Sequence, residues 1–145
     1  MKKRIFSFVL AFLMLGCSIC VVAAESNGPE ARASLYLDGY AIGITAKGNA
    51  KMSISFVVYG TKTMDCIGAQ KIVVEEWDGE DWVNPVTYTA EKNPNFLYEN
   101  ASEYTSSVTF YGLPGVPYRA TLTAYAERNG GSDTGTVTSN PTTCK

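Results

Sequence analysis

The chain of 145 residues contains no histidine. Histidine is the usual general base for serine and cysteine nucleophiles, the commonest metal ligand, and the side chain that titrates near neutral pH. Its absence excludes the common histidine-based forms of all three sites. The sequence also lacks a Ser-x-x-Lys motif and the glycine-rich patterns that bind phosphate. We therefore predict no catalytic residue, no metal site and no cofactor.

Basic residues are too few and too scattered for a nucleic-acid site. The chain has 12 Lys and Arg against 14 Asp and Glu, a net charge of −2. Three basic residues and no acids lie in the first 24 positions, so the 9 basic and 14 acidic residues beyond them give −5. Binding to phosphate backbones requires clustered Lys and Arg. No nucleic-acid partner is expected.

The sequence has one long apolar run, IFSFVLAFLMLGCSICVV, from Ile5 to Val22. It follows the basic MKKR and ends in the small residues of VVAAE, which is the arrangement of a secretory signal peptide. We predict cleavage after Ala24 and a secreted, extracellular product that starts at Glu25. An uncleaved anchor and lipidation at Cys17, in LMLGC, are the alternatives. No second apolar run follows, so no membrane span is expected after cleavage.

The remaining 121 residues suffice for one domain with one core. Residues 25–33, ESNGPEARA, are polar and read as a flexible leader. Residues 34–140 carry the pattern of a folded domain, and residues 141–145 are assigned to a C-terminal tail.

Apolar and polar residues alternate from Leu35 onward with the period of two that β-strands require. One strand face carries Tyr40, Ile42, Ile44 and Ala46, and after the turn KGNA a second carries Met52, Ile54, Phe56 and Val58. TKTMDCIGA then interrupts the pattern, so we expect a loop there, with at most one helical turn near residues 64–67. Further strands are predicted in QKIVVEEW, WVNPVTYTA, EYTSSVTFYG, YRATLTAYAE and SDTGTVTS.

Two further features of the strand pattern can be predicted. Pro85 cannot donate to a ladder, so its strand is expected at an edge, and residues 91–102 form the longest irregular connection. Seven short strands joined by turn residues predict an all-β fold, a seven-stranded antiparallel β-sandwich.

The stretch LPGVPY, residues 113–118, followed by a strand, resembles the fibronectin type III module, an immunoglobulin-like sandwich. The resemblance implies a tyrosine corner, in which the hydroxyl of Tyr118 bonds back to the backbone and Leu113 caps the core. It also implies that Ala120, Leu122, Ala124 and Ala126 line the inner face together with Tyr118.

Two longer stretches, ITAKGNAKMSISFVVYGTKTMDCIGAQKIVVEE and YRATLTAYAERNGGSD, resemble a family of small secreted proteins of Gram-positive bacteria. That family is known only as a domain of unknown function. The resemblance therefore implies no activity.

Carboxylates are concentrated in EEWDGEDW, which holds Glu75, Glu76, Asp78, Glu80 and Asp81. Paired acids can hydrolyse glycosides or bind calcium. A solvated hairpin turn explains the same residues, and the ordered series of oxygen ligands found in a calcium loop is absent. We favour the turn.

Trp77 and Trp82 flank that turn and are expected to pack against each other across neighbouring strands. Such a pair serves either as an aromatic platform for a ligand or as a cover for the end of the core. Val73 and Tyr125 are predicted on the same outward face, with Tyr88 beside them, and together they form the candidate binding face.

Cys66 and Cys144 remain after signal removal, and export favours a disulfide. The predicted topology places them at opposite poles, which favours free thiols or an intermolecular bridge. The sequence thus predicts a non-enzymatic binding module at or outside the cell surface, with an unidentified surface glycan or protein as partner. A structural or effector component of the envelope and a carboxylate-based hydrolase are the alternatives.

Overall fold

A computed structural model describes residues 34–145. The predicted signal peptide, the leader and Cys17 lie outside the described residues. Within the described part of the chain, no helix is long and apolar enough to cross a membrane.

Within residues 34–145, seven antiparallel strands form one hydrogen-bonded sheet, which confirms the all-β, antiparallel prediction. The strands are β1 (Leu37–Gly48), β2 (Lys51–Trp77), β3 (Trp82–Thr89), β4 (Leu97–Tyr111), β5 (Pro117–Arg128), β6 (Gly131–Thr138) and β7 (Thr142–Thr143). A single 3-10 turn, Pro94–Phe96, is the only helical element in residues 34–145. The sheet is curled into a half-barrel.

β2 runs through the segment TKTMDCIGA, so the loop and the helical turn predicted there are wrong. Its 27 residues join two of the predicted strands into one. The alternation was lost because buried side chains recur at intervals of three from Met64 to Ile67 and from Ala69 to Ile72. Pairing on both sides holds the segment extended, since Cys66 lies between Glu99 of β4 and Glu127 of β5.

The position of β2 explains how the sheet closes on itself. β1 and β5 pair along one side of β2, while β4 and β3 pair along the other. Because β2 curves, β1 comes over β6, and the ring of Tyr40 lies where a side chain on Gly135 would be. The core inside the curve contains the predicted inward residues of β2 and β5: Met52, Ile54, Phe56, Val58, Tyr118, Ala120, Leu122, Ala124 and Ala126.

β3 pairs only with β2 within the described residues, so the strand that contains Pro85 is an edge strand, as predicted. β4 begins at Leu97, inside the segment predicted to be irregular, because pairing with β2 extends it across Asn100, whose φ of 54° marks an irregularity.

The C-terminal tail is folded against the sheet. Thr142 and Thr143 form β7, which pairs with the start of β5. Cys144 is buried, with 2% of its surface exposed. The strand count therefore equals the prediction although the strands differ: two predicted strands merge into β2, and β7 is added.

Candidate functional site

The outward face of β2, β3 and β5 carries an aromatic pair at the β2–β3 turn. Trp77 and Trp82 are directly opposite in the register, with ring centroids 5.5 Å apart. Both side chains are partly buried. The guanidinium carbon of Arg119 lies 4.4 Å from the centre of the Trp82 ring, within the range of a cation–π contact.

Arg119 is held in this position by Glu75, its neighbour across the strands. Its Nε and one Nη donate to the two carboxylate oxygens of Glu75 at 2.8 and 3.2 Å. This bidentate geometry fixes the plane of the guanidinium. Arg119 was not among the predicted site residues, because the register that places it opposite Glu75 is a tertiary property.

Val73 and Tyr125, which were also predicted on the candidate binding face, do not join the aromatic pair. Val73 lies in the middle of the face, between Thr87 and Thr121. Tyr125 is eight residues along β5 from Pro117, about 26 Å from that end of the strand. Its hydroxyl donates to Glu127 at 2.7 Å, and this bond is the main reason that the pKa of Tyr125 is raised.

The same outward face holds a shallow hollow of about 340 Å³ beyond Val73. Lys71 lies at its centre, opposite Thr89 on one side and Thr123 on the other. Gln70, Ala90 and Glu91 complete its lining. The hydroxyl oxygen of Thr89 is buried and has no hydrogen-bond partner among residues 34–145. A buried hydroxyl without a partner lowers stability.

Tyr88, which was expected on the candidate binding face, points inward. It is opposite Ile72 in the register, and its ring lies 6.4 Å from that of Phe96. An irregularity between Val74 and Glu76 shifts the pairing of β3, which the sequence pattern did not reveal.

Tyr118 lies at the start of β5 with 2% of its surface exposed. Its hydroxyl accepts a hydrogen bond from the backbone N–H of Leu113 at 2.9 Å and donates to Oε2 of Glu76 at 3.0 Å. Burial raises the pKa of Tyr118, with the Leu113 N–H opposing and Glu76 reinforcing the rise. The Leu113 side chain does not cap the core, because 61% of it is exposed; the backbone of Leu113 makes the contact.

The acidic residues of EEWDGEDW are divided among three places. Glu75 faces outward toward Arg119, while Glu76 faces inward toward Tyr118, because successive strand residues alternate. Asp78 stays in the turn, where it accepts the N–H groups of Glu80 and Asp81, bonds that lower its pKa. No group of three potential ligands that could hold a metal ion occurs within the described residues.

Cys66 and Cys144 are free thiols at opposite ends of the sheet, so the intramolecular disulfide is not formed. Cys66 is paired with Glu127, whereas Cys144 follows Thr143, which pairs with Pro117. Ten residues of β5 separate these positions, about 33 Å, whereas a disulfide requires Cα atoms within about 7 Å. Burial raises the pKa of the Cys66 thiol, and Glu127 and Glu99 add to the rise.

In comparisons with known proteins, no family model, no curated protein and no solved structure matches the chain.

Proposed function

We propose that this protein is a non-catalytic binding module whose ligand is a surface glycan. The observation that supports the proposal is the outward face, where Trp77, Trp82 and Arg119 form one cluster and Lys71 and Thr89 line a hollow further along.

The chemistry of this face suits a saccharide chain. Aromatic rings bring contact area at low rotamer entropy and stack on apolar faces, such as the C–H face of a sugar ring. The hydroxyl groups of the saccharide need hydrogen-bond donors and acceptors. The face supplies them in two cross-strand rows rich in threonine, Thr87–Val73–Thr121–Thr138 and Thr89–Lys71–Thr123–Thr136. A partner protein with an apolar contact surface would use the Trp pair alone and would not need the hollow.

The module acts at or outside the cell surface in this proposal, because MKKR and the following apolar run have the form of a signal peptide. Mass spectrometry of the exported protein should give a chain that begins at Glu25. Fractionation of the producing cells into membrane, wall and medium separates release from retention, and an envelope component would remain with the wall.

We further propose that the curled sheet is a variant of the fibronectin type III-like sandwich. The curve of β2 divides the strands into a half with β1, the start of β2 and β4, and a half with β3, the end of β2, β5 and β6. Two merged strands in place of a loop distinguish it from a standard sandwich. We also propose that this protein belongs to the family of small secreted proteins of Gram-positive bacteria that its sequence resembles.

The experiment measures binding of the purified protein to cell-wall polysaccharides and host glycans, with Trp77→Ala and Trp82→Ala as test variants. Residues at the centre of a binding surface carry most of the affinity, so each change should weaken binding by at least about tenfold. Tyr59→Ala is the control, since it removes an exposed aromatic side chain from the first half of β2, away from the Trp pair and the hollow. If nothing binds, or binding survives both Trp changes, the glycan proposal fails and the structural-component hypothesis replaces it.

A further inference from the structure

A second concave site lies on the inner side of the curled sheet. β3 and β4 both follow the same side of β2, but they pair with different parts of it and not with each other. A pocket of about 340 Å³ opens between β3 and the end of β4. We call it the seam pocket. Its volume is at the lower end of the range for small-molecule sites.

The walls of the seam pocket are apolar and largely aromatic. β3 contributes Pro85, Val86 and Tyr88, and the end of β4 contributes Phe110 and Tyr111, with Leu113 from the loop that follows. Tyr111 and Leu113 are exposed by 74% and 61%, which is unusual for side chains of this size placed together. They form an apolar rim that a bound molecule would cover.

One carboxylate lies among these apolar walls. Glu76 lines the pocket with Tyr118, whose hydroxyl donates to Oε2 of Glu76. The other oxygen, Oε1, makes no hydrogen bond within residues 34–145, and Glu76 forms no ion pair there. The nearest basic residue in the register, Arg119, points to the opposite face, where Glu75 engages it.

The polarity of the lining restricts the ligand. A carboxylate only accepts hydrogen bonds, and the Tyr118 hydroxyl already uses its proton on Glu76 and accepts from Leu113. Anions are repelled, and a neutral molecule leaves the charge uncompensated among apolar walls. A group that donates hydrogen bonds and carries positive charge compensates it. Aromatic walls favour the same charge, since ring faces attract cations.

We propose that the seam pocket binds an ammonium group carried on an apolar chain or ring, with Glu76 as its counter-ion. The apolar body lies against Tyr88 and Phe110, and the rim of Tyr111 and Leu113 closes over it. Both a free organic amine and the lysine side chain of a peptide have this chemistry. The site is on the opposite side of the sheet from the Trp77–Trp82 pair and does not depend on the glycan proposal.

The test compares two probes of equal shape by calorimetric titration of the purified protein: 2-phenylethylammonium and the neutral 2-phenylethanol. A charge-assisted hydrogen bond predicts that the ammonium binds about tenfold to hundredfold more tightly than the alcohol. Glu76→Gln keeps an oxygen for the Tyr118 hydroxyl but removes the charge, so it should abolish this preference. Glu80→Gln, the same change of charge at an exposed position of the β2–β3 turn, should preserve it.

A second variant tests the pocket without changing Glu76, so its result does not depend on how Glu76→Gln affects folding. Leu113→Ser alters an exposed side chain, so the fold should tolerate it, and it should weaken binding of both probes. A capped phenylalanyl-lysine dipeptide then separates the two sources: tighter binding than the free amine indicates a peptide partner, and weaker binding indicates a small amine. Equal affinity for ammonium and alcohol, an ammonium preference that survives Glu76→Gln, or no binding by either probe would overturn the proposal. Trp77→Ala should leave ammonium binding intact, so the two proposals fail independently.

Discussion

Replacing Tyr118 with phenylalanine tests how the start of β5 is anchored. The change removes one oxygen and leaves the ring, which packs against Phe110 at a centroid distance of 5.2 Å. Two hydrogen bonds are lost, one from the Leu113 N–H at 2.9 Å and one to Glu76 at 3.0 Å. The Leu113 N–H then has no acceptor in a partly buried site.

The expected loss of stability follows from those two bonds. A neutral hydrogen bond contributes about 0.5–1.5 kcal/mol and one to a charged group about 1.5–3 kcal/mol. Water can reach Glu76, which is partly exposed, so the charged bond counts at the low end of its range. We expect a loss of about 2 kcal/mol in the free energy of unfolding. With a urea dependence of about 1–3 kcal/mol per M, the denaturation midpoint falls by about 1 M at an unchanged slope.

The pH dependence of stability above neutral pH provides a second test of the same prediction. Burial raises the pKa of Tyr118 in the folded state. The neutral hydroxyl is therefore favoured by folding, so this contribution to stability is present below pH about 10 and is lost as the pH rises through the folded-state pKa. Tyr118→Phe should make stability fall less steeply above pH 10. Tyr111→Phe is the control, because its side chain is 74% exposed and its hydroxyl makes no hydrogen bond within residues 34–145, so the change should cost less than about 0.5 kcal/mol. An unchanged midpoint for Tyr118→Phe, or an equal loss for both variants, would refute the reasoning.

Three further predictions concern the backbone, the thiols and acid stability. Gly68 has a φ of 149°, and a Cβ there would meet the backbone of Phe96, so Gly68→Ala should cost more than about 3 kcal/mol in a denaturant titration. Gly79→Ala, at a φ of 111° with nothing within 4 Å, should cost only the strain; equal losses would contradict the clash. Thiol labelling followed by peptide mapping should modify Cys66 in the native protein and Cys144 only after unfolding, whereas a Cys66–Cys144 peptide under non-reducing conditions would show the topology to be wrong. Asp133 accepts bonds from the hydroxyl of Ser34 and the N–H of Tyr36, and the Ser34 bond is the main cause of its lowered pKa. The contribution of Asp133 to stability is present above pH about 4 and is lost as the pH falls through its folded-state pKa. Asp133→Asn should therefore make stability fall less steeply at acid pH. An unchanged pH dependence would contradict a stabilising role for these two bonds.

Local sequence signals were sufficient for elements whose residues alternate without interruption. The inward faces of β1, the start of β2 and β5 could be predicted because burial of one face is a period-two property of a single strand. The turns in KGNA and EEWDGEDW could also be predicted, since Asn and Gly tolerate positive φ, and the structure gives Asn49 and Gly79 positive φ there.

The candidate site could be predicted only in part, because only some of its contacts are local in sequence. Trp77 and Trp82 flank a tight turn, so their contact follows from the hairpin alone. Arg119 and the hollow beside Lys71 depend on β5 lying next to β2, strands that are far apart in sequence. The wrong orientation of Tyr88 has the same origin, because one irregularity in pairing reverses the faces of the residues beyond it.

The sequence by itself determined the all-β class, the inward residues of the regular strands and the position of Tyr118, because each depends on residues within a few positions of one another. Only the tertiary structure decided that β2 continues through residues 61–69 and that the tail adds β7, whereas the sequence already predicted Cys66 and Cys144 at opposite poles. The tertiary structure also decided that Glu76 meets Tyr118 inside the seam pocket. These outcomes depend on pairing between distant strands, where backbone hydrogen bonds on both sides of β2 outweigh the broken alternation of its side chains.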